Sequence, residues 1–348
     1  MATSTTLLDV AQAAGVSIAT ASRALNGSRD RRVRPELEQR VWMAARSLNY
    51  TPNSHAQAVA RGQTSVAGLV VHDIADPYFS SIAKGLMAEA ASHQLVVTVA
   101  ATDRDPEQEF EYVRMLRMQR ARALVLAGSR LDDRELLDRL GEELAAYEET
   151  GGRAVLVSQK RLPVDTVQVE NRAGARALAR ELHGLGHRRF AVLATAPRLI
   201  TSRDRTAGFR TELAQLGAPV PPERVVEDEF TRDGGYRAMH RLLELDPTVT
   251  CVFAVNDVMA VGALAALREV DRVPPDGIGV AGFDDIATLR DITPGLTTVR
   301  LPLQHIGAEA LRLAVEEPSE RPRVRRVAGE VVLRDSTPPL TAEHPTPS

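Results

Sequence analysis

The chain has 348 residues, a formal net charge of −3 and one cysteine. At roughly 150 residues per domain that length allows two or three domains with ample core. Cys251 alone excludes an internal disulfide or a cysteine-rich metal site, and its place in the apolar run TCVFAV reads as inert burial. The start MATSTTLLDV lacks a basic stretch followed by an apolar one, and no apolar run approaches the ~18 residues of a membrane span. A soluble, cytoplasmic protein with no membrane partner is expected.

In chain order, residues 7–26 (LLDVAQAAGVSIATASRALN) predict two short helices joined by a turn at Gly15 and Val16, the pattern of a DNA-reading helix-turn-helix. Leu8, Val10, Ala11 and Ala14 form an apolar stripe on the first helix, and Ser17 is placed to cap the second. Ala21, Ala24 and Leu25 face inward. Ile18, Ala19, Thr20, Ser22, Arg23 and Asn26 are left on the outer or leading surface. Charge agrees: residues 1–63 carry eight Arg and no Lys against four acids, a formal +4, so the remainder stands at −7. A basic head on an acidic body is the asymmetry expected when one end meets phosphate.

A third helix over about 35–48 completes a three-helix head, with Leu37, Val41, Trp42, Ala45 and Leu48 at helical spacing and Trp42 read as core. LNYTPNSHAQAVARGQTS then reads as a turn, one short helix and a polar connector. The expected organisation is a head over 1–50, a hinge over 51–64, a core over 65–338 and a flexible tail over 339–348. From Ser65 the apolar runs VAGLVV, VVTVAA, ALVLAG and AVLVSQ alternate with helices expected over 78–93, 105–120 and 133–149. A second series follows, with helices at 171–185, 204–216, 234–245 and 258–270 among FAVLAT, VVEDEF, CVFAV and IGVAGF. Such alternation means βαβ units and parallel sheets, hence an α/β core of two lobes. A ligand is expected in the cleft between them, beyond the carboxyl ends of the strands.

Three ordered motifs, DVAQAAGVSIATASRALNG, LNYTPN, and AVND with GFDD and PGLTTVR, resemble those of the lactose-repressor/galactose-repressor (LacI/GalR) family of bacterial transcription regulators. The resemblance covers essentially the whole chain. It implies a homodimer whose heads bind a pseudo-palindromic operator in double-stranded DNA, and a periplasmic-binding-protein-like core that closes on a small effector. The first lobe is then expected over about 65–162 plus 303–327, and the second over about 163–298 plus 328–338. The final RDSTPPLTAEHPTPS carries no heptads, so a dimer and no tetramer-forming helix is expected.

By position the resemblance puts Ile18, Ala19 and Arg23 where bases are read, with Arg23 able to donate bidentately to guanine. Thr6, Ser17, Thr20, Ser22 and Asn26 become candidates for phosphate contact, each equally readable as a cap or a solvated side chain. Val59 stands at the minor-groove wedge, where relatives more often have leucine. About two extra residues lie between Asn26 and Val33, a departure from the family.

In the core, Arg205, Asn256 and Asp284 match family positions that hydrogen-bond the effector; a forked donor and a carboxylate suit neighbouring sugar hydroxyls. Asn256 and Asp284 are alternatively caps. His72, Tyr78, Phe79 and Phe230 are candidate walls or, equally, core. Ser158 and Leu301 stand where relatives often have a polar or acidic contact and a glutamine. A neutral sugar is the first expectation for the effector and a purine-like corepressor the second. An enzyme on the same body is the competing class, but there is no Walker loop, GxSxG or HExxH motif. His183 and His187 are separated by two glycines at a helix end and offer no metal site. No catalytic residue and no cofactor is assigned.

Overall fold

The computed structural model describes residues 5–26, 33–50 and 64–340. Residues 27–32, most of the expected hinge (51–63, with Val59) and residues 341–348 of the expected tail lie outside the described residues, as does the side chain of Asn26. The chain divides into two units, 1–64 and 65–348.

The first unit holds α1 (Leu7–Ala13), α2 (Ile18–Asn26) and α3 (Pro35–Ser47). Thr6 caps α1 through a capping box with Asp9. Gly15 sits at φ +63°, the left-handed geometry this turn needs and glycine adopts without strain. The Ser17 hydroxyl then accepts from the Thr20 amide at 3.1 Å and caps α2. Val10, Ala11, Ala14, Ala21, Ala24, Val41, Ala44 and Ala45 make the small core. Two expectations are corrected here. Leu8 is 47% exposed, and Leu7 packs against the core in its place. Trp42 is 42% exposed, because Val41, Ala44 and Ala45 set the buried stripe of α3 and turn Trp42 away from it.

In the second unit, the first lobe is a parallel sheet of six strands in the order β11-β5-β4-β3-β1-β2. These are β1 (Val66–Val71), β2 (Val96–Ala101), β3 (Ala123–Ala127), β4 (Arg153–Val157), β5 (Asp165–Val169) and β11 (Val324–Val327). Helices α4 (Pro77–Ser92), α5 (Pro106–Met118), α6 (Arg134–Glu149) and α11 (Leu303–Val315) accompany them. Leu69, Val71, Val125 and Val157 point to one buried side, while Val70, Leu124, Leu126 and Leu156 meet Phe110, Val113, Leu140 and Leu144 on the other. Covering both faces is why these strands read as continuous apolar runs.

The second lobe has the parallel order β7-β6-β8-β9: β6 (Phe190–Ala194), β7 (Val225–Glu227), β8 (Cys251–Ala254) and β9 (Gly279–Ala281). Its helices are α7 (Asn171–Gly184), α8 (Ile200–Gln215), α9 (Arg232–Leu245) and α10 (Asp257–Glu269). A short antiparallel pair, β10 (Thr298–Arg300) with β12 (Glu330–Val332), completes the unit. No helix among the described residues is long and apolar enough to cross a membrane.

The expected lobe boundary moves. Strand β5 pairs with β4 and β11 in the first sheet, so that lobe runs past 162 to about 169. The β4–β5 return is a short loop with no helix, and the βαβ rhythm that marks the other strands is missing there. Helix α8 starts at Ile200, four residues before the expected 204, since Ile200 and Ser202 are buried and helical despite their polar surroundings.

Helices α4 and α11 touch through a glycine pair. A Cβ on Gly85 would stand 1.8 Å from the Gln304 carbonyl oxygen, and one on Gly307 would stand 2.0 Å from that of Ile82. Gly307→Val is therefore expected to lower core stability by ~1–3 kcal/mol or more, read as the urea midpoint. Gly184→Ala, at a helix position with nothing within 4 Å, should leave the midpoint unchanged or raise it slightly.

Candidate functional site

A cavity lies between the lobes, enclosing about 580 Å³ of space when the open solvent at its mouth is included. It forms where strands end. His72 follows β1, Arg104 follows β2, Gly128 and Ser129 follow β3, and Ser158 and Gln159 follow β4. Asn171 opens α7, Thr201 and Arg205 lie in the first turns of α8, Phe230 follows β7, and Asp284 follows β9. Placement beyond the carboxyl ends of both sheets is the expected position for a ligand in an open parallel fold.

Arg205 forms the floor, and it is almost fully buried. Its Nε donates to Asn171 Oδ1 at 2.8 Å, its Nη1 to the Val255 carbonyl at 2.8 Å and its Nη2 to Asp284 Oδ1 at 2.7 Å, with the Phe283 ring 3.8 Å from the guanidinium carbon. Asp284 reaches this position through consecutive positive φ values, +120° at Asp284 and +54° at Asp285. For non-glycine residues that conformation is strained and needs support. The support is Asp257, whose Oδ2 accepts from the Ile286 amide at 3.0 Å and whose Oδ1 accepts from the Thr298 hydroxyl at 2.6 Å. Burial pushes the Asp284 carboxyl up to about 7 against the pull of Arg205, and the Asp257 carboxyl up to about 6 against its hydrogen bonds.

The walls are aromatic. Tyr78 and Phe79 meet edge to face at 5.0 Å, and His72 leans on Phe79 with ring centres 5.9 Å apart. Gly128, at φ +149°, lets the His72 ring approach so closely that a Cβ would lie 2.5 Å from its Cε1. Burial, then the charges of Arg130 and Arg104, hold His72 well below its ordinary pKa, so the imidazole is neutral at pH 7. Burial likewise raises the Tyr78 phenol.

Polar side chains also link the lobes. Gln159 Nε2 donates to Thr201 Oγ1 at 2.8 Å, the Thr201 amide donates to Ser129 Oγ at 3.0 Å, and Leu131 bridges Leu199. Ser158 Oγ donates to Gln159 Oε1 at 3.2 Å.

His72, Tyr78, Phe79, Ser158, Arg205, Phe230 and Asp284 all line this cavity; Asn256 does not. Asn256 is 2% exposed and its Oδ1 accepts from the Met259 amide at 2.9 Å, so it is the N-cap of α10. An Asn-Asp pair after a strand suits both jobs, and here the cap uses the side chain. Leu301 is buried and also outside the lining. Asp76, Arg104, Ser129, Gln159, Asn171 and Thr201 line the cavity without having been singled out. Several are polar residues a few positions past a strand, a rule that would have found them.

In the head, Ile18 is 50% exposed and Ala19 is exposed beside it. Arg23 Nε donates to the Ala19 carbonyl at 3.0 Å, which lays its side chain back along α2. Thr6 and Ser17 act as caps, with the Ser17 and Thr20 hydroxyls 2.9 Å apart. Ser22 is half-buried.

Residues 6–53 match the family of bacterial regulatory proteins of the lacI type, and residues 179–337 match a periplasmic binding protein-like domain. The transcriptional regulator DegA of Bacillus subtilis is 30% identical over 97% of this chain and 99% of its own length. GalS of Salmonella typhimurium is 34% identical over 89% of each. The chain belongs to the LacI family. Among solved structures, the lac repressor dimer bound to operator and the anti-inducer ONPF superimposes with a TM-score of 0.81 at 27% identity, covering 96% of this chain and 99% of that one. The regulator CelR in complex with cellobiose gives 0.68 at 28% identity, covering 95% and 99%. This LacI-family chain is thus a DNA-binding transcriptional regulator, with the expected head and two-lobed α/β core.

The raised carboxyls set a pH dependence with a definite sign. A carboxyl whose folded pKa lies above its unfolded value of about 4 keeps its proton better in the folded state, so stability falls as pH rises from about 4 through about 7. Urea titrations at pH 5 and pH 8 should show less of this fall in Asp284→Asn than in the wild type, the Asn retaining an acceptor for Arg205.

Proposed function

We propose that this LacI-family regulator is a cytoplasmic homodimeric repressor that reads a pseudo-palindromic operator and is switched by a saccharide in the interlobe cavity. The observation that carries the effector reading is the buried Arg205 fork, with Asp284 and Asn171 on its edges, at the floor of an aromatic-walled cleft. Fixed donors and acceptors beneath apolar faces suit a ring bearing adjacent hydroxyls. The cellobiose held by CelR supports the same class. A purine is the second reading, favoured by the aromatic faces of Phe79 and Phe230.

In the head, Arg23 supplies base recognition, Ile18 and Ala19 touch thymine methyls or exclude bulk, and hydroxyls at Thr20 and Ser22 set register on phosphates. Thr6 and Ser17 contribute chiefly by fixing helix ends. Asn26 and Val59 keep their proposed roles at phosphate and minor groove. Ligand-driven lobe movement acts on the head through the segment over 51–64.

Arg23→Ala should cost ~1–3 kcal/mol of discrimination between the selected operator and a base-substituted one, measured by binding titration at fixed salt, with unfolding of the core unchanged. An unaltered sequence preference would remove Arg23 from the reading surface. Thermal unfolding against neutral sugars and purines tests the effector class, since a ligand at 100 times its Kd adds ~2.7 kcal/mol to the native state. A shift with purines alone would overturn the saccharide reading.

A further inference from the structure

Arg104 differs from the other cations of the cavity. It enters from a turn in which Asp103 and Arg104 both have left-handed backbone, φ +49° and +64°, a costly choice for two non-glycine residues in succession. Its guanidinium lies 5.6 Å from the centre of the Phe230 ring, and its one hydrogen bond among the described residues is a long one, 3.5 Å from Nη2 to the Phe230 carbonyl. No carboxylate among the described residues comes within ion-pair distance of it, whereas Arg205 holds Asp284 and Arg130 holds Glu109.

Beside Arg104 lies a side compartment, about 540 Å³ with its open solvent included, that shares His72, Arg104, Ser129 and Leu199 with the main cavity. Arg130 lines it and is 4% exposed. Its Nη1 takes both oxygens of Glu109, at 2.9 and 2.7 Å, while its Nε and Nη2 are buried with no partner. Buried donors of a charged group left unbonded are expensive and call for an acceptor. His72, where the two compartments meet, is held below its ordinary pKa chiefly by burial, with the charges of Arg130 and Arg104 adding to the same effect.

We propose that the effector is an acidic saccharide, its ring hydroxyls on Arg205, Asp284 and Asn171 and its single carboxylate or phosphate on Arg104, at the junction with the Arg130 compartment. This rests on the saccharide reading above and narrows it. The negative charge would complete an ion pair that the fold leaves open, and a guanidinium fork suits either anion.

The test uses the full-length protein and titration calorimetry with glucose, galactose and cellobiose, with glucuronate and galacturonate, and with glucose 6-phosphate and galactose 6-phosphate. An acid is expected to bind more tightly than its neutral parent, with the uronate and phosphate arms deciding which anion is read. Arg104→Gln should weaken that acid by about ten- to hundred-fold and the neutral parent by much less, so that the preference for the acid is lost, while Arg104→Lys should keep part of the preference. A neutral sugar that binds better than its acids would overturn the proposal and leave the saccharide reading standing. Binding of an acid that is indifferent to Arg104→Gln would overturn it as well. If no saccharide of either kind binds, both readings fall together.

Discussion

A single buried guanidinium organises the ligand-facing half of this molecule. Arg205 needs acceptors because an unpaired charge in a dry interior is very unfavourable, and it finds them in three segments far apart in sequence: Asn171 at the start of α7, the Val255 carbonyl after β8 and Asp284 after β9. Satisfying one side chain thereby fixes the ends of a helix and two strands around a common point. Asp257 extends the arrangement by holding the strained 283–286 turn from beneath. The floor of the cavity is consequently formed before any ligand arrives, which reduces the ordering a ligand must impose.

Much of this was legible because it rests on local pattern. Apolar runs such as VAGLVV and ALVLA could only be strands covered on both faces, and the turn glycine at 15 with a hydroxyl at 17 marks the junction of two helices. Strand β5 escaped since its segment, DTVQV, follows no helix and alternates weakly. Trp42 was misread because volume and hydrophobicity argue for burial, while the facing positions in so small a core are filled by alanines. The ambiguity of Asn256 was intrinsic: the residue type that caps a helix is also one that binds hydroxyls, and the bond from the Met259 amide shows the capping role. The cross-lobe pairs, Gln159 with Thr201 and Ser129 with the Thr201 amide, join residues too far apart in sequence for any spacing argument to find.

Charge is deployed differently in the two units. In the core, arginines are largely spent on carboxylates, as in Arg323 with Asp165, Arg176 and Arg180 with Glu212, and Arg237 and Arg241 with Asp228. In each of these pairs the carboxylate is largely buried and the arginine partly exposed, so the pairing supplies the acid with a cation and neutralises the surface locally. The head has only four acids for eight arginines, so its net charge stays positive and attracts an external polyanion. The same residue type thus serves as internal neutralisation in one unit and as an attractor in the other.

The glycine contact between α4 and α11 also bears on how the chain comes to be folded. Its two halves, Gly85 and Gly307, are separated in sequence by most of the second lobe. During synthesis the apolar side of α4, with Phe79, Ile82 and Leu86, has to wait for α11, and β5 has to wait for β11. Pairing at such separation is slow to form and leaves sticky surface uncovered meanwhile. Both lobes therefore stay incomplete until the last stretch of chain is made: the first lacks α11 and β11, and the second lacks β12 and Ser336, whose amide, carbonyl and hydroxyl bond Gly295, Val280 and Thr297, so a chain cut short before residue 303 would leave apolar surface open in each.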